Sequence, residues 1–291
     1  MGREDVTFSS RGELCAGWFY RAEVEGRAPV VVMAHGLAAV KEMRLDAYAE
    51  RFAAAGFHVL VFDYRHFGDS EGSPRQLLDI KKQHQDWTSA VTYARTRPDV
   101  DGTRVALWGS SLSGGHVLAL GRQLGARAVV SQVPHTDGVA AVRATGLRPV
   151  VKLVPLALLD LLGSFAKRPP RYVPAAGAPG DTALMTSAEA LDYLSLVPAG
   201  YDFDNRVAAR FGLAIGLYSP GRKVKHLDMP VLVQVGSRDL TTPMAPALKY
   251  AAGNPRVTVK QHDVGHFEPY LGETFEVFVG EQLAFLQQHL A

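Results

Sequence analysis

The sequence predicts an α/β fold: a mostly parallel sheet covered by helices on both faces, with a helical lid inserted late in the chain. Three observations predict it. Short runs that are apolar on both faces, among them PVVVMAH (29–35), HVLVFDY (58–64), RVALWG (104–109) and PVLVQVG (230–236), alternate with segments of helical period. Strands that are buried from both sides and alternate with helices build a parallel sheet. Hydrophobic residues make up 47% of the 291 positions, enough for a sizeable core. The alternation breaks once, over 135–228, where apolar helix-like segments continue without a convincing strand.

Taken in order, Val6–Phe8 and Leu14–Tyr20 flank Ser-Ser-Arg-Gly, an opening hairpin. PVVVMAH is the first long strand, followed by a helix over Met43–Ala55. HVLVFDY is the second, followed by a helix from about Leu78 to Thr96. RVALWG leads into WGSSLSGGH and another helix, and RAVVSQV (127–133) is a further strand. After the interval come PVLVQVG, a helix from Met244, the strand RVTVKQH (256–262) and a last helix near Glu273–His289. The expected organisation is a core of residues 1–134 and 229–291 with a lid over 135–228. Within the lid, RPPRYVPAAGAPG (168–180) reads as an irregular loop.

Composition narrows the function. The 31 basic and 29 acidic residues leave a formal charge of +2 with no basic block, so neither nucleic acid nor an anionic membrane is an expected partner. One cysteine, Cys15, excludes an intramolecular disulfide and a cysteine zinc site. MGREDVTFSS lacks the apolar region of a signal peptide. VVKLVPLALLDLLG (150–163) is broken by Lys152, Pro155 and Asp160 and is too short to span a bilayer. The expectation is a cytoplasmic protein. No metal-ligand spacing and no phosphate-loop ending follow the strands, so no metal and no cofactor are expected.

The chemistry concentrates where strands end. A serine hydroxyl is a poor nucleophile until a positioned base removes its proton. In WGSSLSGGH the G-x-S-x-G elbow aligns as Gly109-Ser110-Ser111-Leu112-Ser113, which makes Ser111 the central serine. Ser113 replaces the closing glycine, and Ser110 is a tolerated neighbour. In the chain order expected for this elbow, Asp239 follows the strand PVLVQVG and His266 follows RVTVKQH. His266 would take the Ser111 proton while Asp239 holds its tautomer. The rival for the acid is Asp137, after the preceding core strand. The amides of Leu37 and Leu112 are the candidate oxyanion donors. His35, His135 and Phe267 are candidate pocket residues. His116 and His262 read as structural, as do Asp63 and Arg65, paired with each other near the sheet edge. Lid aromatics such as Tyr193, Phe203 and Phe211 either shape an acyl pocket or fasten the lid to the core.

Five segments together resemble the α/β-hydrolase superfamily from about residue 5 to 291. HGL (35–37) resembles the oxyanion turn, FDYRHFGDSEG (62–72) the D-x-R-G-x-G-x-S segment, WGSSLSGG the elbow, GSRDLTTP the acid loop, and GHFEPYLGETFE the histidine loop. His66 stands where glycine is common. Within the superfamily the resemblance is to bacterial esterase-like and acyl-peptidase-like serine hydrolases. It implies acyl transfer to water through a Ser111 acyl-enzyme. The expected substrate is a small-molecule carboxylic ester or thioester with a moderately apolar part. The same triad would serve an amide or peptide hydrolase, or a natural-product tailoring enzyme that releases, cyclises or cleaves a carbon–carbon bond. A non-catalytic ligand-binding homologue is the alternative of a different class. The apolar lid face could also support a homodimer.

Overall fold

The structure, a computed structural model, describes residues 2–290. The chain opens on the hairpin β1 (Arg3–Ser10) and β2 (Glu13–Tyr20), which pair antiparallel. Arg11 and Gly12 turn it with φ of 54° and 89°, the double positive φ that matches strand twist in a two-residue loop. Strand and helix then alternate: β3 (Ala28–Ala34), α1 (Leu45–Ala54), β4 (His58–Phe62), α2 (Ile80–Thr96), β5 (Val100–Ser110), α3 (Leu112–Leu120) and β6 (Ala128–Gln132). The insertion carries α4 (Gly138–Thr145), α5 (Leu147–Phe165), β7 (Tyr172–Pro174), α6 (Asp192–Ser195), β8 (Arg206–Ala208), α7 (Phe211–Ile215) and a 3-10 turn at Pro220–His226. The core resumes with β9 (Val231–Gly236), α8 (Met244–Ala251), β10 (Val257–His262), a 3-10 turn at Glu268–Tyr270 and α9 (Gly272–Leu290).

Eight strands form one sheet in the order β1-β2-β4-β3-β5-β6-β9-β10, parallel from β4 to β10. Burial follows position. Every residue of the central strands β3, β4 and β9 is buried, whereas edge strand β10 is only partly covered. Helices α1 and α9 pack together on one face. On the other face, α2 and α3 are tied by His116, whose Nε2 lies 2.8 Å from Gln83 Oε1. Buried polar groups close on one another: Gln282 of α9 donates to Gln132 at 2.8 Å and Gln234 at 2.7 Å, and accepts from Trp108 Nε1 at 2.9 Å. From β3 the chain steps to β4 on one side, and from β5 to β6 on the other. The switch point thus lies between the carboxyl ends of β3 and β5, where a crevice opens for ligand. His35-Gly36-Leu37 and Ser111 are placed there by chain order.

The segment between β6 and β9 departs from its sequence reading in one respect. Where no strand was expected, β7 and β8 pair antiparallel, Tyr172 opposite Ala208. Strands of three residues are too short to display an alternation, and Pro174 sits at the end of its strand, where no ladder N–H is needed. Asp160 anchors this region. It is buried in α5 and accepts from the Arg171 amide at 2.8 Å, the Arg210 amide at 2.9 Å and the Arg210 guanidinium at 2.7 and 3.0 Å. Val151, Leu158, Leu162 and Phe165 of the same helix face solvent. No helix among the described residues is long and apolar enough to cross a membrane.

Candidate active site

Ser111 occupies the bend between β5 and α3 with φ 57° and ψ −120°. This is a sharp strand-to-helix turn that lifts its side chain out of the sheet. Its Oγ lies 3.0 Å from His266 Nε2, and His266 Nδ1 lies 2.7 Å from Asp239 Oδ2. The structure therefore brings Ser111, His266 and Asp239 into one hydrogen-bonded series. The rival Asp137 lies elsewhere: it caps α4 by accepting from the Ala140 amide at 3.0 Å and accepts from Tyr250 Oη at 2.7 Å.

Asp239 is held as an acceptor on both oxygens. Oδ1 receives the Thr241 amide at 2.9 Å and the Thr242 amide at 2.6 Å, while Oδ2 lies 2.8 Å from Thr242 Oγ1. Burial alone would push His266 below the usual histidine range. The Asp239 charge and hydrogen bond, with Glu189 behind them, outweigh it and hold His266 above that range.

The neighbouring serines have separate partners. Ser110 Oγ accepts from Tyr270 Oη at 2.5 Å, and Ser113 Oγ lies 2.7 Å from Tyr64 Oη. Ser113 can replace the closing glycine because it points to that phenol, buried beneath the elbow. Leu112 opens α3, so its N–H has no carbonyl one turn back. The turn after β3 comes up against the serine: a Cβ on Gly36 would stand 2.9 Å from Ser111 Cβ. Leu37 follows at once.

A larger and a smaller cavity meet at Ser111. The larger is lined by Leu37, Leu112, His135, Val142 and Ile215. The smaller is lined by His35, Met43, Tyr193, Phe267 and Tyr270. Met185 and Leu37 border both. Among the described residues, no Asp, Glu, Lys or Arg lines either one. His135 stacks on Tyr218 with its Nε2 3.0 Å from that residue's carbonyl, and burial lowers its pKa to about 4, so it stays neutral. Of the insertion's aromatics, Tyr193 reaches the site and donates to the Leu37 carbonyl at 3.1 Å, whereas Phe165 is 79% exposed.

Asp63 and Arg65 do not pair with each other. Arg65 Nε lies 2.5 Å from Asp86 Oδ1, and Asp63 lies 2.8 Å from the buried Lys41 Nζ. That ammonium also lies 2.7 Å from Glu42 and 2.5 Å from Asp69, so a lysine supplies the cation among these three carboxylates. Sequence reading missed Thr242, Glu189 and Met185. Thr242 carried a signal, since a threonine three residues after Asp239 can close a turn on it. Glu189 and Met185 carried none.

A hydrogen-bonded serine, histidine and aspartate at the carboxyl edge of a parallel sheet define a serine hydrolase. The comparisons agree. Residues 19–201 match the X-Pro dipeptidyl-peptidase (S15) family. The quorum-quenching protein AidA of Acinetobacter baumannii (strain MDR-ZJ06) is 46% identical over 286 residues, 98% of this chain and 94% of that one. A thiohydrolase of Eupenicillium brefeldianum is 26% identical, over 98% of this chain and 94% of its own. The α/β hydrolase GrgF of Penicillium sp. sh18 superposes with a TM-score of 0.82 at 24% identity, over 100% of this chain and 99% of that one. The chain belongs to the α/β-hydrolase superfamily of serine hydrolases, with the S15 peptidases among its kin.

Proposed function

We propose that this enzyme cleaves an uncharged carboxylic ester or thioester through a Ser111 acyl-enzyme. The observation that carries the reading is the Ser111–His266–Asp239 series, at 3.0 and 2.7 Å, at the meeting point of two cavities without charged lining. Ser111 Oγ attacks the carbonyl carbon as His266 Nε2 takes its proton. The oxyanion that forms is received by the amides of Leu37 and Leu112, each such donor contributing about 2.7–4 kcal/mol to barrier lowering. His266 then passes the proton to the departing alkoxide or thiolate, leaving an acyl group on Ser111. Water, deprotonated by the same imidazole, attacks the acyl carbon and releases the acid and the free serine.

Residues 135–228 serve as the lid over this reaction, with Val142, Met185 and Ile215 on the larger cavity and Met185, Tyr193 and Leu196 on the smaller. Apolar walls favour apolar arms on both sides of the scissile bond and exclude water from the acyl-enzyme. They also weigh against dipeptidyl-peptidase action, which must hold a peptide's ammonium: a cavity with no carboxylate leaves that charge unpaired. The thiohydrolase relative is named for thioester chemistry, which fits the same walls. The test is a panel of p-nitrophenyl esters, acyl thioesters and aminoacyl-prolyl anilides, with fluorophosphonate labelling of the wild type and S111A. Turnover of the first two with labelling confined to the wild type is expected. Turnover of the anilide alone, or labelled S111A, refutes the reading.

A further inference from the structure

Glu189 belongs to the insertion, 50 residues before Asp239 in the chain, yet its carboxylate lies between the acid loop and the histidine loop. Oε1 accepts from the Leu240 amide at 2.8 Å, the Thr241 amide at 3.0 Å and Thr241 Oγ1 at 3.0 Å. Oε2 accepts from the His266 amide at 3.0 Å. The carboxylate lies close against the histidine loop: a Cβ on Gly265 would stand 2.6 Å from Glu189 Oε2. Ser187 adds a second tie, its Oγ 3.2 Å from Thr241 Oγ1.

We infer that Glu189 is a positioning residue that fastens the insertion to the triad, setting the separation of the loops that carry Asp239 and His266. The inference rests on the triad reading above. Each loop follows a different strand, β9 or β10: the Ser237 amide donates to the His262 carbonyl at 2.8 Å and the Arg238 amide to the Val264 carbonyl at 3.1 Å, which joins the loop bases, while the separation of the tips at Leu240–Thr241 and His266 is left to side chains. One carboxylate receiving donors from both loops fixes that distance, and charge-assisted bonds are the strong ones. The same charge stands near the imidazole. The ionisable groups facing His266 are Asp239, Glu189 and His135. Outside them, Glu268 accepts from the Gly265 amide and pairs with Arg238 at 3.0 Å. Through Glu189 the insertion becomes part of the machinery, and the segment at 187–189 cannot swing away without loosening the catalytic pair.

Two variants separate reach from charge. E189Q keeps the length but turns an N–H₂ toward one loop's amides, donor against donor, and removes the charge. E189D keeps the charge but is one methylene too short to span both loops. For E189Q, kcat/KM on a p-nitrophenyl ester should fall about 10- to 100-fold, the cost of a small misplacement of a reacting group. The acid limb of its pH profile should also move to lower pH, because a negative charge that favours the imidazolium is gone. E189D should lose a similar factor while its acid limb stays near that of the wild type. Wild-type kcat/KM and an unmoved limb in E189Q overturn the inference. If E189Q does not fold, E189D decides it: full activity overturns, reduced activity with an unmoved limb supports. S111A, run alongside, separates the two failures, since an active S111A sinks the triad reading itself, whereas a dead S111A with a fully active E189Q sinks only the role of Glu189.

Discussion

Replacing Asp239 by asparagine changes one atom's chemistry and almost no volume. The two amides of Thr241 and Thr242 must still find an acceptor, so the side-chain oxygen of the asparagine takes the place of Oδ1. Its N–H₂ then faces His266 Nδ1 and Thr242 Oγ1, where Oδ2 stood 2.7 and 2.8 Å away. Thr242 can accept from it and donate to the Val133 carbonyl, 3.0 Å distant. His266 has one ring proton to place: its Nδ1 must become the acceptor, which moves that proton to Nε2, toward Ser111 Oγ. The base is then held in the wrong tautomer. By the Ser-His-Asp template the loss is about 10⁴-fold in kcat, or about 5.4 kcal/mol at 1.36 kcal/mol per decade. Stability should drop by about 1–3 kcal/mol at most, since only one hydrogen-bonded contact reverses its polarity. The assay is steady-state hydrolysis of a p-nitrophenyl ester by D239N and by D137N, with circular dichroism on both. Activity of D239N within tenfold of the wild type, or an equal loss in D137N, refutes the reasoning.

His266 is held above the usual histidine range, and acylation needs its neutral form, so kcat/KM should fall on the acid side with a midpoint above about 6.5. A midpoint at or below that value would show that Asp239 does not outweigh burial. Burial opposes the charge on Asp160, but Arg210 and two backbone amides outweigh it and hold that carboxyl below its usual range. A depressed carboxyl stabilises the fold above its unfolded value of about 3.9, and the contribution fades as pH falls below it. D160N should therefore cost about 3 kcal/mol at pH 7, with the difference from wild type shrinking below about pH 4 in urea titrations. K41M removes the cation among Glu42, Asp63 and Asp69 and should cost about 3–5 kcal/mol, read as a lowered Tm. Y270F leaves Ser110 without its phenol partner and should cost about 1 kcal/mol, read as a lowered Tm.

Much of this molecule was legible in one dimension. Strands such as VVVMA and VLVQVG announce burial on both faces by composition alone, and their alternation with helical periods predicts the parallel sheet. Chain order along such a sheet places every strand end on one edge, so Ser111, Asp239 and His266 could be named before any distance was known. Local chemistry also told Ser111 from its neighbours, because only the residue at the bend is aimed out of the sheet. Asp239 was the expected acid and Asp137 its rival, since both follow core strands; the structure sets His266 Nδ1 2.7 Å from Asp239, while Asp137 caps α4 and accepts from Tyr250. The partners of Asp63 and Arg65 were not legible, since Lys41 and Asp86 reach them from separate segments. Sequence by itself determined the sheet, the elbow and the chain order of Ser111, Asp239 and His266, which depend on period, bend and strand ends that are local in the chain. Tertiary structure alone decided the cavity walls, the charge pairs and the reach of Glu189 from the insertion to both loops, because side chains dozens of residues apart meet only once the chain is folded.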